Sequence, residues 1–238
     1  MSKKFKGKAC VYCGTRNSSD SGDHVFAKEF FLPDKRNNLP QVPACTKCNR
    51  EKSILEHYLT AVLPFGAKHA DAAINLVKMV PRRLAKNRKL HQHLAQGIED
   101  IWANENGLFL PSIKILIDSK KLEQLFCFIV KGLMWYHWRV LLTPDIYVRA
   151  GYIRNTAQKA FQEFFRRKAS QRGGNDLGDG TIIYEGAQGV DSPYVSFWKF
   201  LVYGGVKVGD DPAIPLETPT LIWGLTGRNK IIPDSWGA

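Results

Sequence analysis

The sequence predicts an α+β protein laid out in three stretches. Residues 1–63 are turn-rich and carry two cysteine pairs, "CVYC" at 10–13 and "CTKC" at 45–48, ahead of a helix. Residues 64–172 read as mainly helical, with apolar residues recurring three and four apart. Residues 173–238 hold β-branched and aromatic runs broken by glycine turns, the pattern of an antiparallel β segment. This last stretch can form one domain with the helical region.

The first stretch takes its shape from punctuation. "CGTRNSSDSGDH" is a polar loop, and "LPDKRNNLPQVPAC" holds three prolines that keep the chain extended or turned. In "NREKSILEHYLTAVL", Ile54, Leu55, Tyr58, Leu59 and Val62 have helical spacing, and Pro64 with Gly66 closes that helix. Further helices are expected over "AKHADAAINLVKMV", stopping before Pro81, and over the strongly basic "RRLAKNRKLHQHLAQGIEDIW". "LFLPSIKILID" should be extended. "SKKLEQLFCFIVKGLMWYHWRVLL" is the most apolar helix, and "NTAQKAFQEFFRRKASQ" a final amphipathic one. The Gly- and Asp-rich "RGGNDLGDGT" marks the boundary to the strands "TIIYEGA", "YVSFWKFLVYGGVKV" and "TPTLIWGLTG".

Charge narrows the function. Lys+Arg 34 against Asp+Glu 22 leaves +12, with a pI near 9.5. Such an excess favours a polyanionic partner, most often nucleic acid or an acidic membrane face. No stretch approaches the roughly 20 apolar residues of a membrane span. The opening "MSKKFKGKAC" has no apolar core of a secretory signal, so the expected compartment is the cytoplasm, where thiols stay reduced.

Cys10, Cys13, Cys45 and Cys48 form two C-x2-C turns. Each turn presents two sulfurs to one ion, and two turns complete the tetrahedral four-thiolate site that zinc prefers. A filled coordination sphere leaves no position for water, so this zinc is structural. In small zinc domains such binding contributes about 10–16 kcal/mol. Cys127, in the apolar helix, reads as a packed small hydrophobe.

Between the cysteine pairs lies "DHVFAKEFF" (23–31), with Asn49 directly after the last cysteine and Lys52 three residues on. This order resembles the HNH endonuclease superfamily in its cysteine-framed form, over about the first 60 residues. The resemblance implies a ββα-metal fold and hydrolysis of DNA phosphodiesters, double-stranded DNA being the expected substrate. His24 would be the general base, Asp23 and Asn49 would bind Mg²⁺ or Mn²⁺, and Asn38 (or Asn37) would orient the histidine. Ala27 stands where the family often has proline, and Asn49 where it often has histidine.

The residue chemistry suits those roles. Imidazole is mostly neutral yet basic near pH 7. A hard cation held by one carboxylate, one amide and substrate phosphate matches Mg²⁺. Asn49 and Lys52 share a helix face near a positive N-terminus, so Arg50 and Lys52 are expected to hold phosphates. Lys28, and the helix-borne Arg82, Arg83 and Lys86, are further expected nucleic-acid contacts. Two other readings stand beside this one: a zinc-stabilised nucleic-acid-binding module without catalysis, and an HNH nuclease acting on RNA. His57, His91 and His93 read as surface residues, and His137 as a hydrogen-bonded core or edge residue.

Overall fold

The computed structural model describes residues 3–105, 108–152, 162–166, 169–205 and 221–228. The chain opens with a cysteine-bearing loop, then a short antiparallel hairpin of β1 (Ser21–His24) and β2 (Gln41–Ala44), and a long helix α1 (Thr46–Val62). Gly14 follows the first cysteine pair in the left-handed region (φ 76°), which glycine tolerates without cost. Its N–H donates to the Cys10 carbonyl at 2.8 Å and closes the turn. The stretch between β1 and β2 makes two tight 3-10 turns, at Lys28–Phe30 and Pro33–Lys35. Ala27 precedes the first with φ −55°, the angle proline would have fixed, so the turn forms without it.

Helices α2 (Ala70–Lys78), α3 (Val80–Lys86) and α4 (Arg88–Gln96) follow. Pro81 sits in the first turn of α3, where a missing N–H costs nothing. The sequence suggests one basic helix from residue 82 to Trp102; the chain instead breaks twice. Asn87 caps α4 by accepting from Leu90 N–H at 3.1 Å, and Gly97 ends it. Residues 98–105 then leave as β3 (Ile98–Glu105), paired antiparallel with β4 (Leu108–Ile115) in a separate two-stranded ribbon.

The apolar helix α5 (Ser119–Trp138) is the axis of the molecule. Asp118 caps it, accepting from the Lys120 and Lys121 N–H groups. On one side it meets α1 and β2, and on the other β5 (Tyr147–Tyr152) and β9 (Ile222–Gly227). Those two strands open a five-stranded antiparallel sheet of order β5-β9-β8-β7-β6, completed by β6 (Ala169–Leu177), β7 (Ile182–Gly189) and β8 (Ser196–Val202). Alternation sorts its side chains: Trp198, Phe200 and Ile222 face the main core, Phe197, Trp223 and Leu225 a smaller cluster behind.

Two expectations about organisation change. The "RGGNDLGDGT" stretch, expected at the boundary to the strands, is itself mostly β6 and the turn into β7, held at Gly178 (φ 63°) and Gly180 (φ 86°). The region expected to be mainly helical also contains the ribbon, β5 and the start of β6. The helix expected over 155–171 lies largely outside the described residues, though 162–166 are helical and Ala169 already begins β6. One hydrophobic core runs through all three stretches, from Cys10 to Ile222.

The apolar tail of "DHVFAKEFF" explains this continuity. Val25 lies against Gly132 of α5, where a Cβ would come within 2.9 Å of its methyl. Phe26 packs on Tyr184 and Phe200 of the sheet, at 5.4 and 6.4 Å between ring centroids. Phe30 meets Tyr203, whose hydroxyl donates to the Phe30 carbonyl at 2.6 Å. Phe31 fills the space at Gly178. The run therefore docks the N-terminal unit onto the rest of the protein rather than packing that unit alone.

Candidate metal centre and hairpin site

The four cysteines meet. The Sγ atoms of Cys10, Cys13, Cys45 and Cys48 all lie within 4.8 Å of one another. A zinc ion with bonds of about 2.3 Å places its sulfurs about 3.8 Å apart, so the donor set and its spacing fit a tetrahedral four-thiolate ion. Cys45 is the N-cap of α1, its sulfur accepting from Cys48 N–H at 3.5 Å, which ties the cluster to the helix. Burial raises the Cys10 and Cys48 thiols. At Cys13 burial opposes ionisation, but hydrogen bonding with Thr15 and its neighbouring thiols outweighs it and brings the group down to about 7. Ligation by a cation would deprotonate all four. Cys127 stands apart, its thiol directed at the Val148 carbonyl.

Beside the cluster, the hairpin aims Asp23 and His24 to opposite faces, as a regular strand requires. Asp23 is buried, facing α1. Its Oδ2 accepts from the Tyr12 hydroxyl at 2.5 Å and forms an ion pair with the Lys52 ammonium at 3.0 Å. Oδ1 has no hydrogen-bond partner among the described residues. Lys52 is completely buried and is held by Asp23, by Glu56 one turn on, and by the His24 carbonyl at 2.7 Å. One ammonium thus serves two carboxylates. Burial pushes the Glu56 carboxyl up to about 7, with Lys52 pulling the other way and Asp23 adding to the rise.

His24 is half-buried and turns its ring to the partner strand. Its Nε2 lies 2.8 Å from the Gln41 side-chain amide, across the His24–Gln41 register pair. Nδ1 has no partner among the described residues. Burial, and then the Lys28 charge, lower the imidazole below its ordinary 6.5, with Asp23 acting in the opposite sense. The shift favours the neutral ring, the form able to accept a proton.

Other expected residues fall into three groups. Asn49 is half-buried on α1, one turn before Lys52 on the same stripe, and its side chain makes no hydrogen bond among the described residues. Asn38 does not reach His24: it is an exposed turn residue in the left-handed region (φ 56°), and Gln41 makes the ring contact instead. Asn37 is exposed in the same turn. Lys28, Arg50, Arg82 and Lys86 are exposed.

Two basic residues expected at phosphates are turned inward. The Lys52 ammonium is sealed in its carboxylate cage. Arg83 bridges the Thr60 carbonyl at 3.0 Å and the Glu29 carbonyl at 2.6 Å, fastening α3 to the turn after β1. The N-terminus of α1 is also partly taken, since Asp20 accepts from Thr46 N–H at 2.9 Å and from its hydroxyl at 2.7 Å. Sequence reasoning misses Tyr12, Gln41 and Glu56. Glu56 alone leaves a signal, the i, i+4 spacing from Lys52.

His57, His91 and His93 are exposed, and His137 Nε2 lies 3.0 Å from the Tyr184 hydroxyl. Among the described residues, no helix is long and apolar enough to cross a membrane. No protein-family model, curated protein or solved structure matches the chain.

Proposed function

We propose that the chain is a metal-dependent HNH-type endonuclease acting on DNA, with His24 as general base. The observation that carries this reading is the hairpin–helix unit itself. The four-cysteine cluster lies beside β1, β2 and α1, next to a histidine that is half-open to solvent and, among the described residues, held at one ring nitrogen.

In this reading Asp23 and Asn49 would hold a divalent cation, Mg²⁺ or Mn²⁺, which would supply charge stabilisation at the scissile phosphate. The chain's own residues do the rest. Gln41 presents its amide nitrogen to the ring, donates to Nε2 and so fixes the ring's orientation. His24, in its neutral form, then takes a proton from water as the water oxygen attacks phosphorus and the P–O bond to the leaving alcohol breaks; that alcohol is protonated from solvent. Lys52 fixes the His24 backbone through its carbonyl and balances the charge of Asp23 and Glu56. Exposed Lys28 and Arg50 lie on the two elements flanking the histidine and are placed to meet the nucleic-acid backbone. Arg83 anchors α3 so that Arg82 and Lys86 extend the same basic surface.

One observation favours a second reading. Asp23 leaves β1 on the face opposite His24 and already gives one oxygen to a tyrosine and an internal ammonium, the state of a carboxylate that serves structure. On that reading the unit is a zinc-stabilised nucleic-acid-binding module without catalysis. Incubating zinc-loaded protein with supercoiled, linear and single-stranded DNA and with structured RNA, with Mg²⁺ or Mn²⁺, separates the readings. Metal-dependent cleavage of DNA, lost by at least a hundredfold in His24→Ala at unchanged zinc content, supports the nuclease. Binding with no cleavage of any substrate leaves the module, and cleavage confined to RNA moves the substrate class.

A further inference from the structure

Strands β3 and β4 belong to neither of the other two sheets. Their register pairs Asp100 with Ile113, Trp102 with Pro111 and Asn104 with Phe109, so these positions share one face of the ribbon. On that face Trp102 is 69% exposed, Phe109 66% and Ile113 44%. Two aromatic rings left in water on diagonal positions of one ribbon face mark an interaction surface.

What covers it is indicated by size and by charge. Eight residues at about 3.3 Å each, on two strands about 5 Å apart, give a face of roughly 260 Å². A second copy of the chain would need about 800 Å² per partner for a stable interface, so the ribbon suits a few flat rings instead. Gly97 joins the ribbon directly to α4. Between Asp71 and Glu99 there is no carboxylate. Arg82, Lys86, Arg88 and Lys89 are exposed there and make no ion pair among the described residues. A cleft of about 220 Å³, lined by His93, Gln96 and Leu116 among others, opens where α4 meets the ribbon. On the ribbon itself Glu99 faces Lys114 across the strands, so the cationic surface comes from the helices.

We infer that α3, α4 and the ribbon grip single-stranded nucleic acid. Phosphates run along Arg82, Lys86, Arg88 and Lys89, and unpaired bases stack on Trp102 and Phe109. Every base offers a flat π-face, so the grip is tolerant of sequence. The inference rests on the nucleic-acid reading above but not on cleavage at His24.

The test uses full-length, zinc-loaded His24→Ala protein without added Mg²⁺. Fluorescence anisotropy measures affinity for a labelled single-stranded 20-mer and for its duplex. Trp102→Ala and Phe109→Ala should each weaken single-strand binding about tenfold and duplex binding far less, while Trp102→Phe retains it. Lys86→Ala with Lys89→Ala should weaken both and lower the single-strand salt slope by about 0.7 for each phosphate no longer neutralised. An unchanged thermal midpoint in the aromatic variants shows that folding is intact. Unaltered single-strand affinity in both aromatic variants overturns the inference. So does a loss of self-association, or of binding to anionic vesicles, with DNA affinity unmoved. If native protein cleaves nothing yet the aromatic variants lose single-strand affinity, the ribbon stands and the nuclease reading falls.

Discussion

Lys52 carries the most consequence of any single residue. Its ammonium is wholly buried, and among the described residues it alone pairs with Asp23 and Glu56 while holding the His24 carbonyl. Removing one partner of a buried ion pair leaves an uncompensated charge, which costs about 3–5 kcal/mol. Lys52→Ala should therefore lose about that much stability in chemical denaturation, whereas exposed Arg50→Ala should stay within about 0.5 kcal/mol of native. His137 supplies a pH-dependent contribution. Burial, with Arg139 adding to it, holds its imidazole below 6.5. A depressed folded value means that the contribution is complete above 6.5 and is lost as pH falls through the folded value. The His137 share should show as a difference: the gap in denaturation midpoint between native protein and His137→Gln should shift against the native protein on acidification below pH 6.5, while Glu56, held near 7, moves both in the opposite sense.

At this scale the sequence is legible where spacing determines chemistry and silent where it does not. Two C-x2-C pairs can meet in few ways, and they do meet. Lys52 turns inward against expectation because helical spacing gives the face but not which way that face points. Residue type favours Asn38 over Gln41, yet cross-strand register places Gln41 opposite His24. That register is a property of the hairpin and cannot be read from one strand.

Among elements, the decisive contact is that of the β1 exit with α5. Gly132 admits Val25 so closely that an added methyl would sit 2.9 Å from it. Gly132→Ala should destabilise by about 1–3 kcal/mol through overpacking, and Val25→Ala in the same chain should recover part of that loss. A double-mutant cycle measured by denaturation checks the coupling; additive effects would mean that the two elements do not bear on each other. The long apolar helix and the glycine-punctuated strands are readable from period and composition. The break of the basic helix at Asn87 is not, because a capping residue inside a helical pattern shows itself only when its neighbours leave the helix. The β6 stretch reads as a boundary because its glycines look like turn residues. In the sheet they make room, as at Gly173, where a Cβ would lie 2.8 Å from the His137 ring.

For the whole molecule, a core continuous from the cysteine loop to the sheet couples metal binding to global stability. Chelating the ion, or Cys45→Ala, should lower the unfolding midpoint of the entire chain in one transition and reduce bound zinc from one equivalent to none. Calorimetry beside metal analysis checks both. Two separate transitions, with the sheet's unchanged, would mean that the N-terminal unit folds alone. Net charge announces an excess of cations, some of which the fold exposes on α3 and α4, but it gives no sign of the isolated apolar ribbon beside them.

The claim that His24 is the base is tested most directly by chemical rescue. His24→Gly, zinc-loaded and supplied with Mg²⁺ or Mn²⁺, should cut supercoiled DNA at least a hundredfold more slowly than native protein. Added imidazole should restore part of that rate in proportion to its neutral form. Full activity in His24→Gly without imidazole would contradict the assignment.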